Sequence, residues 1–167
     1  MLTVYRLLTA LYFLALRLAA LVGGKAKLWV SGRRDWKRRL DQLQLTGKVV
    51  WVHCASLGEY EQARPLIEAL VQADPSVRIV LTFFSPTGYS HCLNDPLASA
   101  VLYLPPDSPN NARDFVGTLR PDLVLFIKYE FWYYTLSAVK DAHVPLVLVS
   151  AHFRPSQFSG LRKLFFQ

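Results

Sequence analysis

Only two cysteines, Cys54 and Cys92, occur in 167 residues, each in or beside an apolar segment. Neither belongs to a CxxC and neither has a histidine at ligand spacing, so the sequence offers no disulfide framework and no zinc site. Buried thiols in a reducing cytoplasm are expected. The chain also lacks GxGxxG, the Walker lysine loop and any Asp-x-Asp that would hold a metal-bound sugar nucleotide, which makes cofactor-free, metal-independent chemistry the expectation. His53, His91 and His143 stand singly and read as structural; His152, just past a predicted strand, is better placed for chemistry. Acidic residues are scarce at one end. Residues 1–39 carry nine Lys or Arg against one Asp, a charge of +8, while residues 40–167 carry ten against eleven, a charge of −1. A nucleic-acid binder would show its basic stripe on the folded body. The expected partner of this charge is therefore a membrane and not nucleic acid.

What is present is apolar: 52% hydrophobic and 13% aromatic residues, ample for the core of one domain. Residues 1–23 predict an apolar helix long enough to span a bilayer, interrupted by Arg6 and Arg17. An arginine inside a span costs roughly 2.5–3.5 kcal/mol on insertion scales, so lying in one leaflet competes with crossing. The two arginines are eleven residues apart and share a helical face, which favours a monotopic helix whose arginines reach headgroups. Next comes Arg33-Arg34-Asp35-Trp36-Lys37-Arg38-Arg39. Anionic lipid attracts such segments by about 1 kcal/mol per basic residue, and Trp29 and Trp36 suit the interface. A hydrophobic helix packed on the domain is the alternative. A cleavable signal peptide fits less well, because no basic region precedes the apolar stretch. Residues 1–40 are thus expected to form an anchor and 41–167 a folded domain.

In that domain short apolar runs alternate with helical patterns. Strands are predicted over 48–53, 78–84, 101–104, 122–127 and 145–150, and helices over 59–73, 86–93, 109–119 and 131–142. The runs are continuous, as in strands buried on both faces. The order predicts an α/β fold with a doubly wound parallel sheet, Rossmann-like.

In such a sheet the residues following each strand share one edge, where ligands bind. Here they are Ser56, Gly58 and Glu59; Ser85, Pro86, Thr87 and Gly88; Lys128, Tyr129 and Glu130; and His152 and Arg154. Glu59 has two readings. It closes a capping box in which Ser56 caps the helix and Glu59 folds back onto its amide, or it is a carboxylate delivered to a ligand. Glu130 likewise reads as an acid favoured by a helix N-terminus or as a second carboxylate converging on the same crevice, one acting as base while the other orients a substrate. Ser85, Thr87 and Gly88 could hold an anion on backbone amides.

The N-terminal helix and basic segment, His53-x-x-Ser56-Leu57-Gly58-Glu59, Thr82-x-x-Ser85-Pro86-Thr87-Gly88, Tyr103-Leu104-Pro105 and Glu130-Phe131-Trp132 together resemble the N-terminal half of the Kdo (3-deoxy-D-manno-octulosonic acid) transferases of lipopolysaccharide biosynthesis. The resemblance implies an inverting, metal-independent GT-B glycosyltransferase at the cytoplasmic face of the inner membrane. It would move Kdo from CMP-Kdo to a lipid A precursor. It also implies Glu59 as general base, Glu130 in transition-state stabilisation, and acceptor phosphates met by the basic N-terminal face and Arg154. Two departures stand out: Lys128 where many relatives carry an acid, and Phe131 for the commoner leucine. The donor-binding C-terminal domain of the family is expected to lie outside these 167 residues, which alone should not turn over. A membrane-anchored phosphoglycolipid-binding module, or another membrane-associated GT-B glycosyltransferase, would share many of these features.

Overall fold

The computed structural model describes residues 2–128 and 130–151. Five strands, β1 (Val49–Cys54), β2 (Arg78–Phe83), β3 (Ala100–Tyr103), β4 (Leu123–Ile127) and β5 (Leu146–Val149), form one sheet in the order β3-β2-β1-β4-β5. All four pairings are parallel. The helices are α1 (Leu2–Val22), α2 (Gly24–Gly32), α3 (Trp36–Asp41), α4 (Leu57–Ala73), α5 (Pro86–Cys92), α6 (Pro109–Leu119) and α7 (Tyr133–Asp141). Strand order reverses between β1 and β4, and that gap is where a doubly wound sheet opens its crevice.

β1 explains why the sheet has two cores. All six of its residues are buried, and alternate side chains go to opposite faces. Val50, Val52 and Cys54 pack with Tyr60, Ala63 and Ile67 of α4. Val49 and Trp51 join Phe115, Val116 and Leu119 of α6 and Val139 of α7. Each such side chain contributes about 1.5–3 kcal/mol when fully buried. β5 departs from the expected two-sided burial: Val147 is half exposed on this edge strand.

α7 begins two residues later than predicted, at Tyr133. Trp132, in its N-cap position, makes no side-chain cap. The cap arrives from elsewhere in the chain. The buried carboxylate of Asp107 accepts hydrogen bonds from the Tyr134 and Thr135 amides (3.0 and 2.9 Å) and the Thr135 hydroxyl (2.7 Å). Asp107 also accepts from the Tyr5 hydroxyl at 2.6 Å, which ties α1 to the body.

The N-terminal region corrects the sequence reading most. Residues 24–41 form α2 and α3 with a turn between them at 33–35, and part of the basic segment is packed against the body. Arg33 is 5% exposed. It donates from Nε to the Leu104 carbonyl at 2.7 Å, from Nη2 to the Phe84 and Phe83 carbonyls at 2.8 and 3.3 Å, and from Nη1 to the Trp29 carbonyl at 3.3 Å. Its guanidinium lies 3.9 Å from the Trp29 ring centroid and 4.6 Å from that of Tyr103. Burial pushes the group down to about 9, opposed by Tyr103 and Tyr12, so it remains positive at neutral pH. Arg33 is therefore unavailable to lipid. Trp29 is buried, and Trp36 packs against Phe115 at 6.0 Å, so neither tryptophan serves the interface as expected. Lys37, Arg38 and Arg39 stay exposed but engage Asp114 (2.7 Å), Asp35 (3.2 Å) and the Tyr89 hydroxyl (2.7 Å). Arg6, Arg17 and Arg34 are exposed and have no side-chain partner among the described residues.

Arg33→Lys keeps the charge but loses the planar fork that reaches several carbonyls at once. It should lower unfolding free energy by about 2–4 kcal/mol, read as a shift in denaturant midpoint at neutral pH.

Candidate functional site

The carboxyl ends of β1 and β4 deliver the two predicted carboxylates to the two sides of the switch point. After β1 the chain turns into α4 at Ser56, whose extended backbone is that of an N-cap. Yet the Ser56 hydroxyl makes no capping bond. Glu59 reaches back not to Ser56 but to the amide of Ala55, with Oε2 accepting at 2.5 Å. The predicted capping box is thus not formed, since neither of its two bonds is made. The carboxylate is oriented by backbone, its Oε1 has no partner among the described residues, and the Ser56 hydroxyl is free at the rim. Gly58 adds room: a Cβ there would meet nothing within 4 Å.

Beyond β4, Lys128 takes a left-handed conformation (φ 63°), uncommon for a residue with a side chain and placed where the strand leaves the sheet. Glu130 follows, partly buried. Its Oε2 accepts from the Trp132 indole N–H at 2.6 Å and lies 3.7 Å from His53 Nε2. Burial pushes the Glu130 carboxyl up, but the imidazole of His53 and the indole of Trp132 pull it further down, and it ends below its ordinary value. It is ionised at neutral pH, held by the Trp132 indole N–H and faced by the His53 imidazole.

The third loop, after β2, is built for packing. Ser85 Oγ accepts from the Thr87 amide at 3.2 Å, as a helix cap. Gly88 is buried, and a Cβ there would fall 2.6 Å from Cδ1 of Phe83 and 3.1 Å from the Leu57 amide. The absence of a side chain at Gly88 lets α5 approach the β1–α4 turn. Thr87 is exposed with its amide already engaged. Arg154, His152 and Tyr129 lie outside the described residues.

Sequence reasoning overlooked His53 and Thr82 as parts of the site. The signal was there: a polar side chain in the middle of a continuous apolar strand is unusual and needs a partner. Here His53 and Thr82 are each other's partners, their residues paired across β1 and β2.

Alongside the rim lies α1. Tyr5, Thr9, Phe13, Leu16 and Ala20, at helical spacing, are its half-buried stripe. Phe13 stacks on Trp29 and Trp132 (5.6 and 6.4 Å) and Tyr12 on Phe84 (6.4 Å). Arg6 and Arg17 do share a face, and with Asn110 and Asn111 they line a groove of about 610 Å³ between α1 and the start of α6. No cluster of His, Cys, Asp or Glu suited to a metal ion occurs among the described residues.

The family described as 3-deoxy-D-manno-octulosonic-acid transferase (kdotransferase) matches residues 34–167. The chain belongs to this family. Relatives named 3-deoxy-D-manno-octulosonic acid transferase include those of Bordetella pertussis, 34% identical over 115 residues (64% of this chain, 26% of the relative), and Haemophilus influenzae, 31% over 104 residues (61% and 24%). The Rickettsia bellii relative is 30% identical over 167 residues (96% and 38%). The chain thus spans about a quarter to two fifths of the length of these curated relatives.

Because the folded state lowers the Glu130 proton affinity, it binds this proton less tightly than the unfolded chain. The resulting stability is present above the ordinary carboxylate value and is lost as pH falls through it and below. Glu130→Gln should therefore narrow the difference in denaturant midpoint between about pH 7 and about pH 3 relative to wild type.

Proposed function

We propose that this chain is the acceptor-binding part of an inverting, metal-independent GT-B glycosyltransferase that moves Kdo from CMP-Kdo to a lipid A precursor. The observation that carries this reading is the placement of Glu59 and Glu130 across one switch point, in a member of the Kdo transferase family. A sugar hydroxyl of the acceptor gives its proton to Glu59. Its oxygen then forms the bond to the anomeric carbon of Kdo while the bond from that carbon to the CMP phosphate oxygen breaks, and CMP departs with the electron pair. Glu59 suits the base because one oxygen is fixed by an amide and the other is open. Glu130, ionised beside the anomeric centre, stabilises the positive charge that develops there. Ser56 and the open space at Gly58 receive the acceptor sugar; Arg154 and the basic face meet its phosphates. Relatives are longer than this chain, and CMP-Kdo binding is assigned to the part of them that it does not span.

The same reading places the protein on the cytoplasmic face of the inner membrane. Leu2–Val22 is long and apolar enough to cross a bilayer by length and composition. Its first half is nevertheless pinned to the body through Tyr5 and Phe13, which supports a helix lying in one leaflet. Arg6, Arg17 and Arg34 are then the residues left to meet headgroups, with Lys37, Arg38 and Arg39 adding partly paired charge.

The deciding assay is Kdo transfer from CMP-Kdo to a lipid A precursor by the chain completed with the remainder of a family member. Glu59→Ala should lower kcat by about 10²–10⁴-fold while acceptor binding persists. Binding without transfer in the completed wild type would favour the phosphoglycolipid-binding module instead. Gly58→Ala should leave the thermal midpoint unchanged or raised, since alanine favours a helix by about 1 kcal/mol, and should reduce transfer by narrowing the space beside Glu59.

A further inference from the structure

His53 is fully enclosed, between Thr82 of β2 and Phe126 of β4, with its ring tilted on Phe126 at 4.9 Å. Its Nδ1 lies 2.9 Å from Thr82 Oγ1, and that same oxygen accepts the Trp51 indole N–H at 2.8 Å. The other ring nitrogen, Nε2, is buried with no hydrogen-bond partner and faces Glu130 Oε2 at 3.7 Å.

The proton count follows from this arrangement. A hydroxyl has one proton and two lone pairs, and an indole nitrogen only donates. With one Thr82 lone pair taken by Trp51, the Thr82 proton goes to Nδ1. A neutral imidazole that accepts at Nδ1 carries its own proton on Nε2, pointing at Glu130. The opposite tautomer would turn the Nε2 lone pair toward a carboxylate oxygen and leave the Thr82 proton without an acceptor. Protonated His53 also has its Nε2–H in place. Toward Glu130, then, the imidazole is a donor in both charge states. A shift of about half an ångström brings the pair within hydrogen-bond range.

We infer that His53 is a positioning residue: Trp51 and Thr82 set its tautomer, and its Nε2–H, together with the Trp132 indole, holds the Glu130 carboxylate at the carboxyl edge of β4. The relay runs through the middle of the sheet, from β1 to β2 and back to the loop after β4. The orientation of Glu130 is thereby set by the core and not by the loop that carries it. The importance of that orientation for transfer rests on the functional reading above; the tautomer and the hold on Glu130 do not.

The test begins on the intact chain, with histidine ring nitrogens labelled. Long-range proton–nitrogen correlation spectra should show His53 protonated at Nε2 and bare at Nδ1, and Thr82→Val should convert it to a mixture. A His53 protonated at Nδ1 alone overturns the inference. The Glu130 carboxyl carbon signal should titrate at higher pH in His53→Phe than in wild type; identical titrations overturn it as well. In the completed transferase, His53→Gln, whose amide replaces the Nε2–H donor, should keep most of kcat. His53→Phe should lower kcat by about tenfold to a hundredfold with acceptor KM nearly unchanged. Equal losses in the two variants, or a loss confined to KM, overturn the positioning role. Thr82→Val leaves the imidazole in place and guards against misfolding, since its kcat should fall with its Nε2–H population. A wild type that transfers no Kdo would overturn the functional reading, while the spectra would still decide the tautomer and the hold on Glu130.

Discussion

A buried guanidinium joins the N-terminal helices to the carboxyl edge of the sheet. The carbonyls of Phe83, Phe84 and Leu104 lie at and just past the ends of β2 and β3, and Arg33 donates to all three while also reaching Trp29 in α2, the helix it follows. No carboxylate pairs with it among the described residues. The compensation comes from carbonyl dipoles and from the faces of Trp29 and Tyr103, which attract a cation through the ring quadrupole. The close fit extends to Gly32, where a Cβ would fall 2.2 Å from Cε2 of Tyr103. Lysine could not reproduce this arrangement, because it lacks both the plane and the fork. Anchoring α2 in this way fixes α1, which packs on it, and so fixes the apolar helix relative to the edge where Glu59 and Glu130 stand.

The sheet was legible in the sequence because its cause is local. Continuous apolar runs of Val, Ile, Leu and Phe alternate with helical spacing, and proline opens α5 and α6 where helix starts were predicted. α6 has the predicted bounds. The basic segment was misread because the fate of an arginine depends on acceptors far away in the chain: three of the four for Arg33 lie 50–71 residues off. Charge and tryptophan content cannot reveal such partners. The late start of α7 has the same origin, since its cap is Asp107, 27 and 28 residues upstream. Glu59 and Glu130 could be named from strand order alone, whereas His53 required knowing that Thr82 sits beside it.

The two carboxylates differ in a way that suits two roles. Glu59 is engaged by one backbone amide and keeps an oxygen open at the rim, so it can take a proton without breaking its orientation. Glu130 is gripped by an indole and faced by an imidazole, which favour its charged form and oppose proton uptake. On the proposed reaction, Glu59 is therefore the base and Glu130 the electrostatic partner.

The placement of α1 sets how a lipid-borne substrate would arrive. The stripe from Tyr5 to Ala20 faces the protein, so Leu7, Leu8, Leu11, Leu14, Leu18 and Leu21 face outward, each about half exposed or more. Burying a leucine fully is worth about 1.5–3 kcal/mol, so six partly exposed leucines give a strong drive for this face to enter a bilayer. Crossing would also carry Arg17 through the apolar layer at roughly 2.5–3.5 kcal/mol and would strip Tyr5 from Asp107. Lying flat avoids both, because Arg6 and Arg17 border the groove beside α6. With α1 stacked on Phe84 and Trp132, the rim then opens at the level of the headgroups. On the proposed function, an acceptor held in the leaflet by its acyl chains reaches Glu59 with its sugar alone and need not leave the membrane.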